Sequence, residues 1–540
     1  MIPHLHLLTF TSYTIAWQCS IPGLDLSGVE YKSLPSGLHG VQSDLIYYIH
    51  DRQYAGISAF AQEAADKVHR NASFCAVGAL VALDSNDGLS KSWEHAVELQ
   101  ILAKGLLKRG DDKRALELYW EKHRLDSDKA KEAEIEDALR RRTKSEDRRE
   151  SGRSDVNPGL CVNALLAKRS KSLDRGGLDR SGVNTRSSEG RGWYADHPGL
   201  RVNALLDTFG PLIFPLHRAA LLRQRILMLG APPVQHSCNA IHNLTLLSSI
   251  PKADVTSIQL NMPEKAAISR PLFSVGITDI PALASDNGWI ATTTDDILGD
   301  KHMLYDLLVE LVPSANGVKQ KWPRLRTAEG KVIKASQRDF RRYQRLQREL
   351  QKVREDPPDL VVGNMYAEET ASLLKRALGA DDFEKDVSEI VEPLGWTAAA
   401  YSAALWCTSA GISQLEAETE EEEQLERDLL EDAPRNAHVR QITEAKVTPI
   451  LDSYFRALNT HLVTTLADLI AAADDDPARA GEGAAEDVVC ISADDVRGLG
   501  LDPWNENDRL FITQMVRKYF ASDAEVGAGE GWSVCGVRIC

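Results

Sequence analysis

Three guanidinium groups crowd the run FGPLIFPLHRAALLRQRIL at residues 209–227: Arg218, Arg223 and Arg225. A guanidinium stays charged and offers a planar fork of donors, so each either grips a carboxylate of a partner or pairs with acids of its own chain. On one helix Arg218 and Arg225, seven apart, share a face, while Arg223 lies toward another side. Asp295 and Asp296 follow the strand-like GWIATTT. They are placed to cap a helix beginning at Ile297, or to meet a basic group of a partner. A third constellation is basic: thirteen Lys and Arg between 319 and 354, against four acids counting Glu355, about +9 net. Within it Arg338, Arg341, Arg342, Arg345 and Arg348 accompany a helical stripe of Phe340, Tyr343, Leu346, Leu350 and Val353. Such a helix either packs by its stripe with its charges solvated, or presents them to an anionic membrane, where each cation contributes about 1 kcal/mol.

Covalent chemistry finds no equipment. There is no Walker A, Gly-rich dinucleotide turn, GxSxG elbow or HExxH. HRLD (123–126) resembles a kinase loop but has no following Asn or DFG, and GEGAAE (481–486) lacks the surroundings of a phosphate loop. His39, His50 and His217 read as packing or hydrogen-bonding groups. Eight cysteines form no C-x-x-C and no zinc spacing, as expected of reduced thiols in a cytosolic protein. No catalytic residue, cofactor or metal is expected. A net charge of −16 excludes a nucleic-acid binder with a wholly basic surface.

The elements that must position these groups fall into five stretches within 540 residues. Residues 1–109 read as short strands, DLIYYIHD and YAGISAF adjacent and antiparallel, then AVGALVAL and a helix over SKSWEHAVELQILAKGLLKR. Residues 110–206 form a charged linker, too poor in apolar side chains to offset its ordering entropy and so largely disordered. It contains a repeat: NPGLCVNALL (157–166) returns as HPGLRVNALL (197–206). Residues 207–314 alternate helix (PLHRAALLRQRI), strand (ILML), helix (NAIHNLTLLSSI), strands (PLFSVGI, GWIATTT) and a predicted helix over HMLYDLLVELV at 302–312. The basic helical insert spans 315–360, and 361–540 is mainly helical. The acidic run at 416–432 reads as a solvated helix or loop. The uncharged stretch 393–415, rich in Ala, Ser and Thr, reads as a small-residue helix packed on others in preference to a bilayer span. The N-terminal MIPHLHLLTFTSYTIAW reads as a strand, lacking the basic start of a signal peptide.

Three blocks in order resemble the fungal LCHN-like branch of the DENN superfamily. They are IAWQCSIPGLDLSGVEYKSLPSGLH (15–39) with the strands after it; FGPLIFPLHRAALLRQRIL with PLFSVGITDIPAL and GWIATTTDDIL; and EPLGWTAAAYSAALWCTSAG with LGLDPWNENDRLFITQMVRKYF and CGVRIC. Two departures stand out: the match lapses before Tyr13, and AGI replaces the expected AGE at 410–412. The resemblance implies an α/β fold, with a longin-like upstream lobe, a central α/β DENN lobe, a mainly helical C-terminal region and long disordered insertions. It implies a cytoplasmic exchange factor promoting GDP release from a Rab GTPase in membrane trafficking, with a non-catalytic Rab-binding or membrane-associated scaffold as the alternative. Arg218, Arg223, Arg225, Asp295 and Asp296 would then face the GTPase. Arg338, Arg341, Arg342, Arg345 and Arg348 would face an organelle membrane.

Overall fold

A computed structural model describes residues 6–12, 14–19, 24–64, 72–83, 91–109, 113–123, 202–258, 260, 268–311 and 322–355, scattered positions between 387 and 406, then 409–431, 443–475, 488–527, 532–534 and 537–539. The first copy of the repeat and most of the charged linker lie outside these residues.

One eleven-stranded sheet runs through both lobes. Its upstream half is antiparallel: β1 (His6–Ser12), β2 (Thr14–Cys19), β3 (Ser43–His50), β4 (Tyr54–Ala64) and β5 (Ala72–Ala82). Its central half is β6 (Ile226–Leu229), β7 (Arg270–Ser274), β8 (Trp289–Thr293) and β9 (Leu307–Glu310), closed by the edge hairpin β10 (Arg324–Thr327) and β11 (Val332–Ile333). Strands β7, β8, β6 and β9 are parallel. The halves meet where β3 pairs antiparallel with β7 through Tyr48 and Phe273, so the two expected lobes share a sheet.

The helices used below are α1 (Val29–Ser33), α2 (Ala96–Arg109), α3 (113–123), α4 (Val202–Phe209), α5 (Ile213–Leu221), α6 (Gln235–Leu247), α7 (Gln337–Glu355), α8 (Ser409–Glu431), α9 (Thr443–Asp475) and α10 (Glu506–Phe520). The second repeat copy supplies the start of α4, where Val202, Leu205 and Leu206 are buried. None of the described helices is long and apolar enough to cross a membrane.

Two expectations change. HMLYDLLVELV yields strand β9, not a helix: Leu307, Leu308 and Val309 are all buried, and a continuous apolar run covered on both faces is what a central parallel strand requires. The basic insert is helical only from Gln337 onward. Its earlier described part is the β10–β11 hairpin, turned at Gly330 in the left-handed region.

Asp44 of β3 crosses between the halves. Its buried carboxylate accepts from the backbone N–H groups of Val234 (2.7 Å) and Gln235 (3.1 Å), and so caps the start of α6. Burial pushes its pKa up against these hydrogen bonds. Removing a helix cap costs about 0.5–2 kcal/mol. Asp44→Ala is therefore expected to lower the unfolding free energy by about 1–2 kcal/mol. Urea titration checks this, and an unchanged midpoint would refute it.

Candidate functional site

Helix α5 decides where the arginines go. All nine of its residues are buried, His217 and Arg218 included. A helix apolar on every side sits inside the protein, so a guanidinium on it must find internal acids. Arg218 makes a two-pronged contact with Asp339 of α7 at 2.7 and 2.8 Å, and its second nitrogen lies 3.1 Å from Asp508 of α10. Beside it, buried Arg342 donates to Glu426 of α8 at 2.5 Å, and Tyr454 of α9 donates to the other Glu426 oxygen at 2.9 Å. Arg342 also stands over the Phe214 ring, 5.5 Å from its centroid, and donates to the Gly500 carbonyl. A Cβ at residue 500 would lie 2.7 Å from that guanidinium, so glycine is what lets Arg342 through. The network ties α5, α7, α8, α9 and α10 together.

Burial alone would raise Asp339, yet the charge and hydrogen bonds of Arg218 hold it below the usual carboxylate range. Asp508 goes the other way: burial, opposed by Arg218 and reinforced by the Asp339 charge, pushes it up to about 6. A raised folded-state value contributes stability that is complete below the unfolded value near 4 and lost as pH rises through about 6. Wild type should therefore lose stability relative to Asp508→Asn as pH rises from about 4 through about 6. Urea unfolding across that window is the check, and parallel pH profiles for the two proteins would sink the assignment.

The expected partner surface is thus corrected in part. Arg218 and Arg223 are interior. Helix α5 ends at Leu221, and Arg223 follows in the left-handed region, where its guanidinium donates to the carbonyls of Ala220 and Ser248 and to Ser269 Oγ. Arg225 therefore shares no helix face with Arg218. It precedes β6, pairs with Asp306 at 2.7 Å and donates to the Met303 carbonyl. Asp295 stands at the N-cap position of a short helix, Asp296–Gly299, but makes no side-chain cap bond. Its carboxylate accepts from Ser36 Oγ of the upstream half at 2.5 Å. Asp296 is exposed.

The expected membrane face is also largely occupied by the chain itself. Arg338 is buried and donates to the carbonyls of Leu501 and Arg497, and Arg342 is in the ionic network. Arg341 and Arg345 pair with Glu422 and Glu423 of α8, both at 3.0 Å, while Arg348 is exposed. The acidic run read as solvated is the counter-helix of the basic one. Val353 has no described side chain.

Part of the apolar surface left open lies along the joint of the two sheet halves. Lys32 of α1 reaches Asp279 at 2.7 Å and the Ile49 carbonyl at 2.9 Å. Ser36 bonds Asp295 and Thr294. Within two positions of these cross-joint bonds stand Tyr31, Ile277 and Ile297, each about half exposed (50%, 50% and 54%). Sequence reasoning marks Ile297 only as a helix start and none of the three as a contact, because the signal is exposure of an apolar side chain next to a long-range contact. The cavity bounded by Phe214, His217, Arg218 and Arg342 is about 10 Å³, room for one water and no metabolite. Among the described residues no group of three or more His, Cys, Asp or Glu is arranged to hold a metal.

Comparison with known proteins agrees with this architecture. The family model described as DENN domain-containing protein 11 matches residues 9–321, and a domain of unknown function matches 391–540. The uncharacterized protein ANR2 of Saccharomyces cerevisiae is 26% identical over 59% of this chain and 55% of its own length. DENN domain-containing protein 11 of Xenopus laevis is 27% identical over 55% of this chain and 56% of its own. An uncharacterized protein of Schizosaccharomyces pombe is 26% identical over 61% of this chain and 67% of its own. The chain spans about half the length of the first two relatives. The matched family model covers more than half of the chain and takes in nearly the whole shared sheet, so this protein belongs to the DENN domain-containing protein 11 family.

Proposed function

We propose that the chain is a DENN-type exchange factor that accelerates GDP release from a Rab GTPase in membrane trafficking, acting from the cytoplasm. The observation that carries this reading is the joint surface. Both sheet halves contribute to it: exposed Tyr31, Ile277 and Ile297 each lie within two positions of a residue that bonds across the joint, and exposed Asp296 follows one of these, Asp295. Exchange needs no acid, base or nucleophile. It needs a surface that binds the nucleotide-free GTPase, so that partner and nucleotide oppose each other. A nucleotide bound at nanomolar affinity represents about 12 kcal/mol, which a broad contact on the mobile switch segments can offset. The three apolar side chains would seat switch residues, and exposed Asp296 would meet a basic group beside them. Family membership supports the reading as well.

The test is release of a fluorescent GDP analogue across a panel of Rab proteins. Wild type should accelerate release from at least one. The variant Tyr31→Ala/Ile277→Asp/Ile297→Asp should lose at least about tenfold of that rate with its melting unchanged, since each such contact contributes about 1–3 kcal/mol. Tight binding to GTP-loaded Rab with no acceleration of GDP release would replace this reading with the scaffold.

A further inference from the structure

Four cations recur along the outer side of α7 at helical spacing: Arg341, Arg345, Arg348 and Lys352. Tyr343, Leu346 and Leu350 are buried on its inner side. The cations span three turns, about 16 Å at 1.5 Å per residue. Against this stripe lies α8, tied by Arg341–Glu422 and Arg345–Glu423, with Arg497–Glu418 (3.5 Å) alongside. Among the described residues Lys352 pairs within its own helix, with Glu349.

Each tie is open to water on one side only. Arg341 and Glu423 are each about half exposed (51% and 53%), while their partners Glu422 and Arg345 are more shielded (11% and 19%). Surface pairs shift an equilibrium by about fivefold or less and weaken with salt. Helix α8 is also anchored at one end. Glu426, Leu429 and Leu430 are buried, whereas no described residue of the helix before Leu425 is. Among the described residues, that half meets α7 through the Arg341–Glu422 and Arg345–Glu423 ties, each with one exposed partner. Glu416, Glu420 and Glu421 on that half are exposed and would repel an approaching anion.

We propose that Arg341, Arg345, Arg348 and Lys352 form a docking stripe for anionic phospholipid, and that the N-terminal half of α8 is its built-in competitor. A flat array of headgroups matches a straight stripe with no concavity, and it offers many negative charges at once against a few glutamates. Displacing the strap uncovers the cations and carries the exposed glutamates away. The contact is separate from the joint surface, so it stands or falls independently of exchange activity.

Flotation of the full chain with phosphatidylcholine vesicles, with and without phosphatidylserine, tests this. Wild type should bind weakly and only when phosphatidylserine is present. Glu418→Gln/Glu422→Gln/Glu423→Gln should bind at least about tenfold more tightly, since three ties are loosened. Adding Arg348→Gln/Lys352→Gln, which touches no tie to α8, should cut that gain by about tenfold or more. Circular dichroism and melting should match wild type throughout. The proposal is overturned if the glutamate variant floats no better than wild type, or if losing Arg348 and Lys352 changes nothing. Binding of inorganic polyphosphate without any flotation would equally overturn it.

Discussion

Arg218→Ala is expected to destabilise the protein by about 3–5 kcal/mol, enough to leave much of it unfolded or aggregated when expressed. The removed guanidinium is the counter-charge of two carboxylates, Asp339 and Asp508, both almost fully buried. Without it, two like charges face each other away from water, and at least one must take up a proton or draw in solvent. The same logic ranks neighbouring variants. Arg218→Lys keeps a charge but loses the fork, so only one of the three contacts within 3.1 Å can be kept at ideal geometry. Asp508→Asn should be the mildest change, because the Asp508 carboxyl is already shifted toward its neutral form. Denaturant unfolding of the set gives the order, Ala worst and Asp508→Asn least. An Arg218→Ala protein within about 1 kcal/mol of wild type would mean that water or a backbone shift already shields these acids.

That cluster also shows what the sequence could and could not disclose. The strands from Asp44 to Leu83 are legible because short apolar runs between turn residues are local signals, and β3, β4 and β5 form where those signals put them. Strand β9 was misread because LLVEL carries no period that separates a buried strand from a buried helix. From sequence Arg218 reads either as a partner contact or as one half of an internal pair. In IFPLHRAAL only His217 is polar besides it, and that scarcity is the available sign of burial. The two charge runs were each legible as charged but not as partners. About eighty residues separate Arg341 from Glu422, and pairing over that distance is set by where α9 brings α8, not by any local pattern. The cross-joint bonds next to Tyr31, Ile277 and Ile297 form only because the sheet order sets β3 beside β7, although more than two hundred residues separate them in sequence.

Ending the chain at residue 390 should leave the sheet without a stable helical layer, although the family models divide the protein near that point. The C-terminal region is built into the central lobe. Phe455 of α9 stacks on Phe214 of α5 with centroids 6.0 Å apart, and α9 packs against α4, α6 and α7. It also completes backbone hydrogen bonding at two helix ends. Tyr519 and Lys518 of α10 donate to the carbonyls of Leu221 and Leu222, at the end of α5. Asn459 of α9 donates to the carbonyls of Leu247 and Ser249, at the end of α6. These are the last-turn acceptors that a helix cannot satisfy itself. Truncation would also leave Arg218 with one acid where it had two, and Arg342 without Glu426. Each large apolar side chain uncovered costs about 1.5–3 kcal/mol, while a whole domain is stable by only about 5–15 kcal/mol. Uncovering Phe214 and a handful of its neighbours is therefore enough. Residues 1–390 alone are expected to lose near-ultraviolet circular dichroism and cooperative melting, and co-expression with residues 391–540 should restore both. A monomeric 1–390 fragment with a sharp thermal transition would show instead that the C-terminal region is an appended domain.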